Sequence, residues 1–424
     1  MLQVSFIKEN KEAVIKGLEK KRLADARAKV EEVIAVDEER RSSQHKRDVS
    51  LSEANKVSKE IGNLMKQGKR EEAEQVKQKS AELKKQSKEL EEQVKDLEYK
   101  LIELLYQIPN VPHESVPEGN GAEDNEVVLQ KGDLPELTGE ALPHWELVKK
   151  YDIIDFELGN KVTGAGFPFY KGKGAKLQRA MINFFLNEAE AAGYYEVQPP
   201  LMVNETSGYA TGQLPDKEGQ MYHIGTENFY LIPTAEVPIT NMFRNTILKT
   251  DELPKKMVGY TPCFRREAGT WGAHVRGLNR LHQFDKVEIV QIQHPEKSYE
   301  ALEEMCSYVQ GLLEKLELPY RKLRLCGGDI SFNAALCFDM ETYSAAQKRW
   351  LEVSSVSNFE TYQANRMKLR FQGNDKKKQL AHTLNGSALA LPRIVATILE
   401  NNQTPEGIRI PEVLQPYCGF DMIQ

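Results

Sequence analysis

From Ala24 to Tyr106 the chain contains no proline and almost no aromatic residue, and its apolar positions repeat like those of a coiled coil. Val76, Leu83, Leu90, Leu97 and Leu104 recur every seven residues. Ala73, Ser80, Ser87, Val94 and Leu101 recur every seven as well, offset by three. A 3.5-residue period lays one stripe of an α-helix along a partner helix. Upstream, Leu51, Ala54, Ser58, Ile61 and Met65 keep the same spacing, and MKQGKRE, with Gly68 as a turn residue, separates the two stretches. The pattern predicts two long helices folded back as an antiparallel hairpin. At about 1.5 Å per residue, roughly 38 residues per helix make an arm about 55–60 Å long. Asp37, Arg40, Gln44 and Arg47 fall where the seam should be apolar, which predicts a weak or splayed section.

Charge is uneven along this arm. Residues 56–88 hold ten Lys/Arg against five Asp/Glu, with Lys66, Lys69 and Arg70 at the turn. One reading is an ordinary solvated coiled-coil surface. The other is an arm that touches nucleic acid, since clustered positive charge is the electrostatic footprint of phosphate binding. No dense aromatic platform accompanies the charge, so recognition of shape and backbone is expected rather than base reading. The whole-chain net charge of -6 gives no hint of such a partner.

IPNVPHESVPEG (108–119) ends the arm, because its three prolines forbid a continuing helix. The expected organisation is an N-terminal domain over 1–107, a linker over 108–118 and a catalytic domain over 119–424. Within the last of these, helical patterns such as AKLQRAMINFFLNEAEAAG alternate with strand-like NFYLIP, KKMVGYTPCF, HQFDKVEIVQI and RWLEVSSV. That mix predicts an α+β domain on a mainly antiparallel β-sheet flanked by helices. The first residues lack the apolar core of a secretory signal, and no run approaches the roughly 18 apolar residues of a membrane span. Five scattered cysteines without a CxxC argue against a disulfide framework or a zinc knuckle. A cytoplasmic protein with no membrane partner is expected.

No GxxxxGK[ST], GxGxxG after a strand, HExxH or GxSxG occurs. The chemistry therefore rests on arginines and carboxylates. FRREAGTWGAHVRGLNRLHQF, from Phe264, joins two predicted strands through a glycine-rich connection. If KKMVGYTPCFRRE is one strand, Arg265 and Glu267 share a face and Arg266 takes the other. A same-face arginine and carboxylate can be a structural ion pair. Several guanidiniums converging on one cleft can instead neutralise a triphosphate.

This segment resembles motif 2 of the class II aminoacyl-tRNA synthetases. LNGSALALPRIVATILENNQ, from Leu384, resembles their motif 3, with Arg393 as its arginine. The helix around Leu177–Ala191, followed by GYYEVQPPLMV, resembles motif 1, the dimer-forming element. TAE at 234–236, EVSS at 352–355 and the coiled-coil hairpin resemble the bacterial-type seryl branch. The order and spacing of these motifs extend the resemblance over essentially the whole chain.

The resemblance implies a serine–tRNA ligase that forms seryl-adenylate from ATP and L-serine, releases pyrophosphate, and passes serine to the 3′ end of tRNA(Ser). It implies a homodimer. tRNA(Sec), which some relatives also serylate, is a further candidate partner. It assigns Arg265 to the α-phosphate and the serine carboxylate, Glu267 to the adenine amino group and Phe284 to the adenine face. Arg393, with Arg280 nearby, meets the distal phosphates of a bent ATP, and Arg266 joins the same site. Thr234, Ala235 and Glu236 line the serine pocket. Glu288 and Ser387 read its amino and hydroxyl groups, supported by Asn385. Glu352 and Ser355 hold Mg²⁺, with Val353 and Ser354 between them in the ATP site; no zinc is expected. Arg265 and Arg393 are the residues expected to act on the reacting phosphates.

Two departures from the family pattern stand out. Ala388 and Pro392 replace glycines in motif 3, and the motif 2 loop carries Trp271, His274 and Arg276 where many relatives are more polar. Pro392 stiffens the backbone before Arg393 and suits a helix start. Two other functions remain compatible with the residues. One is a paralogue that charges a carrier protein, against which the long arm argues. The other is a non-enzymatic coiled-coil or RNA-binding protein, against which Arg265, Glu267, Glu288, Glu352, Ser387 and Arg393 argue.

Overall fold

The computed structural model describes residues 1–137, 141–267, 275–373 and 375–424. It divides into two compact units, 1–19 with 23–109, and 20–22 with 110–424.

In the first unit, α1 (Ala26–Lys66) and α2 (Arg70–Tyr106) form the hairpin. Their cross-links run antiparallel: Arg40 faces Glu98, Ser50 Oγ donates to Gln86 at 3.2 Å, and Ser58 meets Ser80 at 3.3 Å. The turn is a Schellman closure. Gly68 has φ 76°, its N–H bonds Met65 O at 3.2 Å, and Lys69 N–H reaches back to Leu64 O at 3.0 Å. Ala73, Ser80, Ser87, Val94 and Leu101 are all buried, as their spacing predicts.

The seam of α1 keeps the predicted Ala54, which is buried, but its other positions move by one residue. Ser50 and Val57 are buried, whereas Leu51 and Met65 are about half exposed. The polar middle is not splayed either. Buried Asp37 binds Arg40 and Arg41, each at 2.8 Å, and Lys8 at 3.3 Å. Ion-paired in this way, a carboxylate can occupy the seam despite its burial.

The second unit is built on an eight-stranded sheet: β1 (Glu126–Lys131), β2 (Tyr195–Glu196), β3 (Lys255–Phe264), β4 (Gln283–Gln293), β5 (Tyr320–Arg324), β6 (Leu336–Ser344), β7 (Arg349–Asn358) and β8 (His382–Ala390). Its order is β1-β5-β6-β7-β8-β4-β3-β2, antiparallel throughout except between β2 and β3. The helices α3 (Gly172–Ala191), α4 (Ser298–Lys315) and α5 (Leu391–Asn401) share one apolar core with it. The span 110–116 runs along this unit: Asn110 Nδ2 donates to Asn333 O and Phe359 O, and His113 N–H bonds Ala335 O. All five cysteines are buried and free. Among the described residues no helix is long and apolar enough to cross a membrane.

Candidate active site

Strand alternation sorts the central sheet into two faces. Val287, Ile289, Leu384, Val356 and Met340 belong to the apolar core. On the opposite face, Glu288 lies across from Ser387 on β8 and from Gly259 on β3, and Asn385 lies across from Ser357. Phe284 and Lys286 precede Glu288 at two-residue spacing and share its face.

One irregularity shapes this face. On β7, Ser354 pairs with Met340 and Glu352 with Glu341, so Val353 is an extra residue, a β-bulge. Without it, residues three apart would point to opposite faces. With it, Glu352 and Ser355 fall on the same face, while Val353 is buried in the core and Ser354 Oγ donates to Ser387 O at 2.5 Å. Asp339 pairs with Ser355. Burial, followed by the neighbouring Glu352 charge, holds the Asp339 carboxyl well above the usual carboxylate range. These hard oxygen donors fit Mg²⁺. Among the described residues no three His, Cys, Asp or Glu side chains form a metal cage. A bound ion would therefore draw its other ligands from phosphate and water.

A buried polar pocket adjoins the face. Glu236 begins a short helix (Glu236–Asn241), its N–H bonded to Thr234 Oγ1 at 3.2 Å, with Ala235 fully buried between them. Gln363 Nε2 donates to Glu236 Oε1 at 2.6 Å and to Thr211 O at 3.0 Å. Burial, then repulsion from Glu288, pushes the Glu236 carboxyl up to about 7. Glu288 is itself paired: Lys286 Nζ lies 2.8 Å from its Oε2, and Ser387 Oγ donates to the same oxygen at 3.4 Å. Two carboxylates, one ammonium and hydroxyls, all buried together, are groups that suit a small zwitterion with a hydrogen-bonding side chain.

Beside it, β3 stops at Phe264, short of the predicted charged end. Arg265 N–H still bonds His282 O at 2.9 Å, but Arg266 N–H turns to Gln220 O at 2.9 Å and Glu267 N–H to Gln220 Oε1 at 3.1 Å. Glu267 takes φ 48°. Strand alternation therefore does not place Glu267; Gln220 does, while Arg265 stays bonded to His282. The Arg265 guanidinium lies over the Phe284 ring at 5.3 Å and its Nε donates to Pro233 O at 3.4 Å, tying it to the loop that leads into Thr234 and Glu236. Arg266 is exposed. Glu267 and Arg280 are ion-paired at 2.7 Å. Arg393 donates to Glu352 O at 2.6 Å and lies 3.4 Å from Glu352 Oε2. Pro392 sits in the first turn of α5, where it breaks no helical hydrogen bond, and Ala388 is fully buried. Trp271 and His274 lie outside the described residues.

Residues 1–112 match the seryl-tRNA synthetase N-terminal domain family, and residues 222–402 match the tRNA synthetase class II core domain family (G, H, P, S and T). The serine–tRNA ligase of Salinibacter ruber is 50% identical over 93% of this chain and 92% of its own length. The chain belongs to the seryl-tRNA synthetase family. The serine–tRNA ligase of Chlorobaculum parvum is 46% identical over the full length of both chains. A seryl-tRNA synthetase from Pyrococcus horikoshii, solved in complex with ATP, has a TM-score of 0.94 at 34% identity, covering 100% of this chain and 99% of that one.

As a member of the serine–tRNA ligase family, the chain is an aminoacyl-tRNA ligase of class II architecture. The expected pocket residues Thr234, Glu236, Glu288, Asn385 and Ser387 all converge, as do Arg265 with Phe284 and Arg393 with Glu352. Sequence reasoning missed Lys286, Gln363 and Gln220, which hold Glu288, Glu236 and the Arg266–Glu267 backbone. Lys286 had a signal: it is a charged residue in phase with Glu288, two positions away on the same strand. Gln363 and Gln220 lie far from the motifs in sequence and carried none. Arg276 is accounted for by its stacking on Trp145 at 4.9 Å and its pairing with Glu146 at 3.4 Å.

Proposed function

We propose that this chain activates L-serine with ATP and transfers it to tRNA(Ser), in the cytoplasm and as a homodimer, with tRNA(Sec) as a further acceptor. The 1–107 domain grips tRNA by its basic arm, the 108–118 segment links, and 119–424 performs the chemistry. The observation that carries this reading is the adjacency of two different receptors on one sheet face. One is the closed Glu236–Glu288–Ser387 pocket. The other is the arginine-lined approach formed by Arg265, Phe284, Glu267, Arg280 and Arg393. The ATP bound by the Pyrococcus horikoshii relative supports ATP as the nucleotide.

Serine enters with its ammonium towards Glu236 and Glu288 and its hydroxyl towards Ser387, with Asn385, Thr234 and Ala235 completing the wall. Alanine leaves those buried polar groups unpaired, and threonine adds a methyl group the pocket must exclude. Arg265 bridges the serine carboxylate and the α-phosphate. That carboxylate is already ionised at neutral pH, so no general base is needed; attack on the α-phosphorus requires placement and charge stabilisation. Adenine stacks on Phe284, with Glu267 taking its amino group, Arg266 and Arg280 flanking, and Arg393 on the outer phosphates. Glu352 and Ser355, with the Val353–Ser354 backbone between them, would hold Mg²⁺, which would supply neutralisation of phosphate charge. A terminal hydroxyl of the tRNA then attacks the acyl carbon of seryl-adenylate, expelling AMP.

Serine-dependent ATP–pyrophosphate exchange, followed by serine transfer to total tRNA, tests this. Absence of exchange sinks the reading, and exchange without transfer points instead to a carrier-protein ligase. Arg265→Ala is expected to abolish exchange while the fold persists.

A further inference from the structure

Behind the ATP approach lies a buried polar network that the reaction does not use. His144 and Glu400 are both fully buried. Glu400 Oε1 accepts from His144 Nδ1 at 2.7 Å, from His144 N–H at 2.8 Å and from Gln347 Nε2 at 2.9 Å, and its Oε2 accepts from Ser344 Oγ. Burial alone would raise the Glu400 carboxyl, but the hydrogen bonds from His144 and Ser344 outweigh it and hold it below its ordinary value. The other ring nitrogen, His144 Nε2, accepts the Leu278 N–H at 2.8 Å. Its acceptor role fixes the tautomer: the proton is on Nδ1, directed at Glu400.

This arrangement resembles a hydrolytic Ser–His–acid set, but its order is wrong for one. The serine bonds the carboxylate, and the imidazole's free nitrogen is occupied by backbone. What it holds is the chain after the motif 2 loop. Gly277 sits at φ 69° against the imidazole, and a Cβ there would lie 2.3 Å from His144 Nε2. Asn279 Nδ2 donates to Gln347 Oε1 at 2.9 Å, and the Asn279 carbonyl accepts from Arg393 Nε at 3.2 Å. Arg276 is clamped by Trp145 and Glu146, the residues that follow His144. One anchor thus locates Arg276 to Arg280 and, through Asn279, aims Arg393.

We propose that His144 and Glu400 are positioning residues for ATP, acting through the Leu278 and Asn279 backbone on Arg280, Glu267 and Arg393 without touching substrate. This rests on the assignment of those side chains to the nucleotide. The test is calorimetric ATP binding to the full-length chain, with serine binding and serine-dependent exchange measured alongside. His144→Asn keeps a donor for Glu400 but loses the acceptor for Leu278 N–H, leaving that buried group unpaired. ATP affinity is expected to fall about ten-fold, the scale of one buried donor left unsatisfied, with serine affinity within about two-fold. His144→Gln reaches the Leu278 N–H with its amide oxygen and is expected to hold ATP within about three-fold of the parent. If His144→Asn fails to fold, Gln347→Ala, at a less buried member of the network, should weaken ATP in the same selective way. Unchanged ATP affinity in His144→Asn, equal losses in the two His144 variants, or equal weakening of ATP and serine would overturn the proposal. If the parent chain binds ATP but shows no serine-dependent exchange, the functional reading fails while the positioning test still stands.

Discussion

Replacing Glu236 by glutamine should stabilise the catalytic unit by an amount that grows with pH. The carboxyl is 5% exposed, and burial followed by repulsion from Glu288 raises it from 4.5 to about 7. The folded protein therefore retains a proton that the unfolded chain releases between those values. Stability falls as pH rises from about 4.5 through about 7 and levels off above. At about 1.4 kcal/mol per pH unit, the interval amounts to about 3 kcal/mol by pH 8. Glutamine still accepts from Gln363 but cannot ionise, so the variant lacks this decline. Urea unfolding followed by tryptophan emission is the assay. Trp145, Trp271 and Trp350 all lie in the catalytic unit, so the arm is silent. The two proteins should be closest near pH 4.5 and diverge towards pH 8. L-serine, whose ammonium favours the charged carboxylate, should flatten the parent profile. Parallel profiles, or a gap that widens towards acid, would refute the reasoning.

Lys286→Met should destabilise the same unit by about 3–5 kcal/mol, because it strands the buried Glu288 carboxylate, and should raise the KM for serine more than that for ATP in pyrophosphate exchange. Gly277→Ala combines a positive φ with a Cβ clash against His144; a loss of more than about 2 kcal/mol is expected in urea unfolding. Removing residues 30–104 should spare exchange and abolish tRNA charging, whereas equal loss of both would show that the catalytic unit needs the arm to fold.

Much of this was legible in the sequence because it is local and periodic. The seven-residue repeats predict the hairpin, and alternation on β4 places Glu288 with Phe284. Legibility failed where geometry depends on contacts distant along the chain. Leu51 is more apolar than Ser50, yet Ser50 is the one buried, because the partner helix decides which face of α1 is covered. Glu352 and Ser355 share a face only because Val353 is a bulge, and nothing in EVSS announces one. The strand carrying Arg265 ends where Gln220, some 45 residues earlier, captures its backbone. The family resemblance supplied roles for the motif residues but not their supports, since Lys286, Gln363 and His144 lie outside the residues that carried it.

The serine-rich seam also has a mechanical consequence. Near the base of the arm, Val30, Val33, Val94, Leu97 and Leu101 are buried, whereas towards the tip the buried column thins to Ser50, Ala54, Val57, Ala73, Ser80 and Ser87. Cohesion per turn therefore falls along its length. Such an element bends like a tapered rod, stiff where it is held and compliant where it ends. Its outer turns can follow the contour of a curved partner at small energetic cost while its base keeps its direction.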